Sequence, residues 1–127
     1  MSSDRRGRSH NTRRAIESAA SAAERAIRRT EADTLDTYLG NEERQDAIER
    51  LLLRFGEAVK AIPADVLIAI DPMAPWSKAG RFRDLAAHWY EGSLDHALIW
   101  NVLRRELPPM LAALTRYLAA NPEEPSF

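Results

Sequence analysis

The segment Arg81-Phe82-Arg83-Asp84-Leu85-Ala86-Ala87-His88-Trp89-Tyr90 gathers the side chains most able to do chemistry. An imidazole can give or take a proton near neutral pH. A guanidinium can hold phosphoryl oxygens in a bidentate grip. On a helix Asp84 and His88 stand at i, i+4, about 40° apart, so the carboxylate can bond one ring nitrogen and fix the tautomer. Arg83 and His88 stand at i, i+5, about 140° and about 7.5 Å apart. They meet on one phosphate only through arginine's reach, from a frayed helix end, or across a cleft shared with a second subunit. The spacing alone is not specific. With 16 Arg and 3 His in the chain, an Arg five residues before a His arises by chance roughly 0.4 times. Arg5 and His10 repeat it. A purely structural His88 would bond a backbone carbonyl at a helix end, and a solvated Asp84 would contribute a few tenths of a kcal/mol.

The elements that must position this segment all read as helix. Ile16, Ala20, Ala23 and Ile27 make an apolar stripe on a helix over roughly 13–30. A short turn over Thr34–Leu39 is closed by Gly40. Asn41 with Glu42 and Glu43 opens a helix whose stripe is Ile48, Leu51, Leu52, Phe55, Val59 and Ile62, stopped by Pro63. Val66–Ile70 reads as a short buried helix, and residues 71–75 as a loop. The next helix runs from Trp76 to about Tyr90, with Pro75 tolerated at its first turn. Ser93 and Asp95 start a last helix to about Ala120, striped by Leu94, Leu98, Val102, Leu103, Leu107, Met110, Leu114 and Leu118. Pro108-Pro109 should kink it. Phe55, Trp76 and Trp100 read as core, and His96 as surface, since a helix amino end disfavours a cation. The expectation is an all-α, up-and-down bundle of four main helices plus a short extra helix over 13–120. A basic flexible tail over 1–12 precedes it, and a loose tail over 121–127 follows.

Composition narrows the classes. In 127 residues, 18 Lys and Arg face 19 Asp and Glu, and 45% of the chain is hydrophobic. That excludes a histone-like cationic coat and an acidic disordered tail. The absence of cysteine removes disulfides, thiolate metal sites and Cys nucleophiles. His10, His88 and His96 are too scattered for a metal site, and none is expected. No glycine-rich phosphate loop, nucleophile elbow or helical His-Glu-x-x-His is present. No window reaches the apolar length of a membrane span, and the basic amino end leads into no apolar run. A cytoplasmic protein without membrane contact is the expectation. The charge is segregated: residues 1–14 hold five Arg and one Asp, a net +4, while the rest holds 13 basic and 18 acidic side chains, a net −5.

Taken in order over roughly 14–118, several segments are together specific. Asn41-Glu-Glu-Arg-Gln-Asp-Ala-Ile48 and Phe55-Gly-Glu-Ala58 come first. Pro75-Trp76, Ala79-Gly80 and Arg83-Asp84 through Tyr90 follow, then Leu94-Asp95, Ile99-Trp100 and Leu107-Pro108. In this set the chain resembles the HepT-like toxins of the HEPN superfamily, whose core motif is Arg-polar-x-x-x-His-x-Tyr. The resemblance implies a HEPN-like bundle and a metal-independent endoribonuclease toxin of a toxin–antitoxin system, active as a homodimer with its motif facing a cleft between protomers. It implies that His88 is general acid or base for attack of a ribose 2′-hydroxyl on the adjacent phosphorus. Arg83 would stabilise the phosphoryl charge, and Asp84 would orient His88. Tyr90 would be the tyrosine that a nucleotidyltransferase (MntA-type) antitoxin modifies with AMP, the partner consuming ATP while the toxin itself needs no cofactor. An adenylate two residues from His88 adds bulk and negative charge where an RNA phosphate must sit.

Arg81 and Trp89 are the further candidate RNA contacts. The position of Trp89 is commonly small in the family. Its indole serves either as a base-stacking platform or as a core or dimer-interface anchor. Glu57 is either a cleft residue or an ordinary helix carboxylate. The alternative function is a non-catalytic HEPN-like nucleotide-binding or protein-interaction module, which Trp89 and the acidic body favour.

Overall fold

The computed structural model describes residues 2–79 and 95–122, with side chains from His10 onward. The protein is all-α, and no strand occurs among the described residues. The elements are α1 (Ser2–Thr30), α2 (Leu35–Leu39), α3 (Glu42–Lys60), α4 (Ala64–Ile70), α5 (His96–Asn101) and α6 (Leu107–Ala120). A π-helical turn over Val102–Glu106 joins α5 to α6. Residues 76–79 are helical and lead out of the described range.

α1 packs against both α3 and α6. Its buried face is Ile16, Ala19, Ala22, Ala23, Ala26 and Thr30. Alanine lets neighbouring backbones approach closely, so the bulk of the core comes from the other two helices. α3 supplies Ile48, Leu51, Leu52, Phe55 and Val59, the π turn supplies Leu103, and α6 supplies Leu107, Met110 and Leu114. Arg13 donates to the carbonyl of Asn121 partway along α1, and Arg104 to that of Thr30 at its carboxyl end. These two contacts set α1 and α6 antiparallel, as an up-and-down bundle requires.

Local signals fix most boundaries. Thr34 and Thr37 form a capping box: Thr34 Oγ1 accepts from Thr37 N at 3.2 Å, and Thr37 Oγ1 accepts from Thr34 N at 2.9 Å. Gln45 Nε2 donates to the carbonyls of Tyr38 and Leu39, both at 2.9 Å, closing the end of α2 onto α3. Asn41 Oδ1 accepts from Arg44 N at 2.9 Å, the cap that its position before Glu42 and Glu43 predicts. Asp95 Oδ1 caps α5 by accepting from Leu98 N at 3.2 Å.

Four expectations are corrected. α1 begins at Ser2 rather than near 13; no proline interrupts the upstream residues, so the helix nucleated by the packed stripe continues through them. α4 is a helix, but only Ile70 is buried and Ile68 is 61% exposed, because α4 lies along the rim of α6 with one edge. The expected single last helix is instead interrupted by a π turn ahead of its prolines. The backbone widens just before them, with Leu107 N–H bonding Val102 O five residues back, and Pro108 and Pro109 fall in the first turn of α6, where their missing N–H groups cost little. Leu98 is 52% exposed while Ile99 is buried, so the core-facing stripe runs through Ile99 rather than Leu98. The reading of 76–90 as one helix is met at its start, and the remainder lies outside the described residues.

Candidate functional site

Arg81, Arg83, Asp84, His88, Trp89 and Tyr90 all lie outside the described residues, so the structure neither joins nor separates them. What it shows is how the chain is held on either side of them. On the amino side, Trp76 leans on the core while its Nε1 donates to Asp71 O at 2.9 Å, and Ala79 is buried. Lys78 pairs with Glu106 of the π turn at 2.8 Å. The expected tolerance of Pro75 holds: its carbonyl accepts from Lys78 N at 2.9 Å.

On the carboxyl side the anchor is His96, one residue past the cap Asp95. It is not a surface residue, which corrects the expectation from its helix-end position. His96 Nε2 lies 3.1 Å from Glu49 Oε1, with the two side chains only 17% and 16% exposed. Nδ1 lies 3.3 Å from the Tyr38 hydroxyl. In the neutral ring, the carboxylate selects the Nε2–H tautomer and leaves Nδ1 to accept from the phenol. One imidazole therefore links α2, α3 and α5.

The electrostatics follow burial. Desolvation, reinforced by the charges of Glu49 and Asp33, pushes the Tyr38 phenol well above its ordinary range. Burial also raises Glu49 above the ordinary carboxylate range, with Asp46 adding to the effect and His96 opposing it by charge and hydrogen bond. Sequence reasoning missed this cluster. Its signal was Glu49, placed at i+4 from Gln45 and i−3 from Leu52, on the flank of the apolar stripe.

A second polar cluster closes the carboxyl end of α1. Arg104 donates to the carbonyls of Thr30 and Asp33, the latter at 3.3 Å, and lies over the Trp100 ring. Arg44 donates to Arg29 O and pairs with Asp33 Oδ2 at 2.9 Å. Both guanidiniums satisfy carbonyls that a helix end leaves without partners. Arg104 is therefore committed to the fold, whereas Arg105 is exposed. Phe55 is core, Trp76 and Trp100 are partly buried against it, and Glu57 is exposed on α3. No helix among the described residues is long and apolar enough to cross a membrane.

Comparison with known proteins spans the motif as well as the bundle. A family model described as "Ribonuclease HepT-like" matches residues 10–117. A protein of Methanocaldococcus jannaschii named as an RNase is 35% identical over 75 residues, 59% of this chain and 60% of the relative. One of Thermococcus cleftensis named as a HepT ribonuclease is 31% identical over 95 residues, 75% of this chain and 84% of the relative. No solved structure gives a significant match.

Proposed function

The chain belongs to the HepT-like ribonuclease family, and we propose that it is a metal-independent endoribonuclease whose site is Arg83, Asp84 and His88. The observation that carries this reading is the family match over 10–117, a span that contains the whole Arg-polar-x-x-x-His-x-Tyr motif.

His88 takes the proton of a ribose 2′-hydroxyl as that oxygen attacks the adjacent phosphorus. The P–O5′ bond breaks, the leaving oxygen acquires a proton, and the products are a 2′,3′-cyclic phosphate and a free 5′-hydroxyl. Arg83 holds the phosphoryl oxygens as charge builds on them. Asp84, at i+4, keeps the imidazole in its working orientation. The awkward i, i+5 separation of Arg83 and His88 is relieved if two copies share a cleft, so the active species is a homodimer. Arg81 and Trp89 flank the site as RNA contacts, the indole by stacking on a base.

The protein acts as the toxin of a toxin–antitoxin pair in the cytoplasm. Its partner is an MntA-type nucleotidyltransferase that transfers AMP from ATP to the Tyr90 hydroxyl and releases pyrophosphate. The adenylate then fills the RNA site and repels phosphate.

The test is cleavage of RNA by purified protein in excess EDTA, with intact-mass measurement after coexpression with the nucleotidyltransferase. Cleavage with cyclic-phosphate ends, lost in Arg83→Ala and His88→Ala, is the expected result. Retained cleavage with both residues removed ends the assignment, and an unmodified Tyr90 ends the regulatory half.

A further inference from the structure

One stretch of chain, from α5 through the π turn, holds both ends of the motif segment. Ahead of the motif, Lys78 Nζ donates to Glu106 Oε1 at 2.8 Å, five residues before Arg83. Behind it, His96 meets Glu49 at 3.1 Å and Tyr38 at 3.3 Å, eight residues after His88. His96 opens α5, and Glu106 closes the π turn that follows. A π turn within a helix often marks a functional site.

The two fastenings differ in what they contribute. His96 is largely covered and ties α5 to α2 and α3. Lys78 and Glu106 are more open, with side chains 48% and 22% exposed, so their pairing adds little to global stability. Trp76 and buried Ala79 already seat this helical turn on the bundle. Lys78 stands about 100° from Ala79 around the helix, so its tie to Glu106 fixes the rotation of the turn about its axis. Arg104 of the same π turn is occupied by the carbonyls of Thr30 and Asp33, and Glu106 is given to Lys78. On the helix that the sequence predicts over 76–90, rotation at Lys78 turns Arg83 and His88 with it.

We propose that Glu106 is a positioning residue for RNA cleavage: by holding Lys78 it sets the rotation of the helical turn that leads into Arg83 and His88. It touches no substrate and acts only through its ion pair. Its role in cleavage rests on the ribonuclease reading of the motif. Misplacing reacting groups by a fraction of their spacing slows the chemical step, whereas the affinity for RNA is left as it was.

The test is steady-state cleavage of a short RNA in EDTA by the full chain. The proteins compared are wild type, Glu106→Gln, Glu106→Lys, Lys78→Glu and the exchanged pair Lys78→Glu with Glu106→Lys. Glu106→Gln should lower kcat about threefold to tenfold, with KM within about twofold of wild type. The two single reversals should lower kcat further, and the exchanged pair should recover most of it. Unfolding midpoints should stay near wild type throughout, as an open ion pair requires. Unchanged kcat in Glu106→Gln and in both reversals overturns the assignment, as does an exchanged pair no better than the worse single variant. Rates that merely track the unfolding midpoints overturn it too. A KM that rises in Lys78→Glu and is not restored by the exchange makes Lys78 an RNA contact, which also ends it. Deuterium exchange across 80–94 is measured on the same five proteins. A wild type that cleaves no RNA removes the ribonuclease reading, and deuterium exchange then decides the tie by itself. Faster exchange in both reversals, restored in the exchanged pair, keeps Glu106 as the anchor of this segment; identical exchange in all five removes it.

Discussion

The guanidinium of Arg104 lies 4.2 Å from the centroid of the Trp100 ring, while its nitrogens hold the last carbonyls around the end of α1. The stacked guanidinium ties the π turn to the carboxyl end of α1 through its hydrogen bonds. Arg104→Ala should therefore destabilise the fold by about 1–3 kcal/mol, since it orphans carbonyls and uncovers the indole. Arg104→Lys should recover only part of that, because an ammonium lacks the planar fork. Urea unfolding midpoints of the two variants check both statements.

Removing His96 should be felt by two partners. His96→Ala leaves the Tyr38 hydroxyl and the Glu49 carboxylate facing a gap, at about 1–3 kcal/mol. Tyr38→Phe should cost less, and the two should be coupled by about 0.5 kcal/mol or more in a double-mutant cycle. Strict additivity would mean that the observed 3.3 Å contact contributes nothing.

The Glu49 carboxyl gives a pH signature whose sign is fixed. Its folded pKa is raised by burial, so the folded state holds that proton more tightly than the unfolded state does. The resulting stability is fully present below the unfolded value of about 4.3, and it is lost as pH rises through the raised folded value. The stability of wild type minus that of Glu49→Gln should thus decline across the weakly acid range and then level off. Paired urea titrations from about pH 4 to about pH 7 measure it. A difference that grows with pH contradicts the burial argument.

For the proposed chemistry, Arg83→Ala and His88→Ala should each lower the cleavage rate by about 10²–10⁴, with unfolding midpoints unchanged. Asp84→Asn should cost less and should shift the pH–rate profile, because its part is to orient the ring. Initial rates in EDTA, measured across pH, separate these outcomes.

Where each element begins and which face it buries were legible wherever a local signal exists. Asn41 capped its helix, Pro63 ended the preceding run, and the stripe from Ile48 to Ile62 is the buried face. The failures share a cause: they depend on what a distant element places opposite a residue. Nothing near His96 reveals that Tyr38, 58 positions away, and Glu49 will stand beside it. Nothing near Ile68 shows that α4 touches the bundle along one edge only. The motif itself was legible as a pattern and as a family resemblance, although its residues lie outside the described coordinates.

The π turn carries one more consequence. Five residues fill a turn where an ordinary helix uses fewer, so everything before it is rotated by about one residue step, near 100°, relative to an uninterrupted α-helix. That rotation sets the azimuth of His96, and with it the direction from which the chain leaves the motif and rejoins the bundle. Deleting a single residue between Val102 and Glu106 would restore a regular helix, yet it would swing the imidazole away from both of its partners. The extra residue acts as a phase adjuster, so the length of this turn is constrained as well as the identity of its side chains.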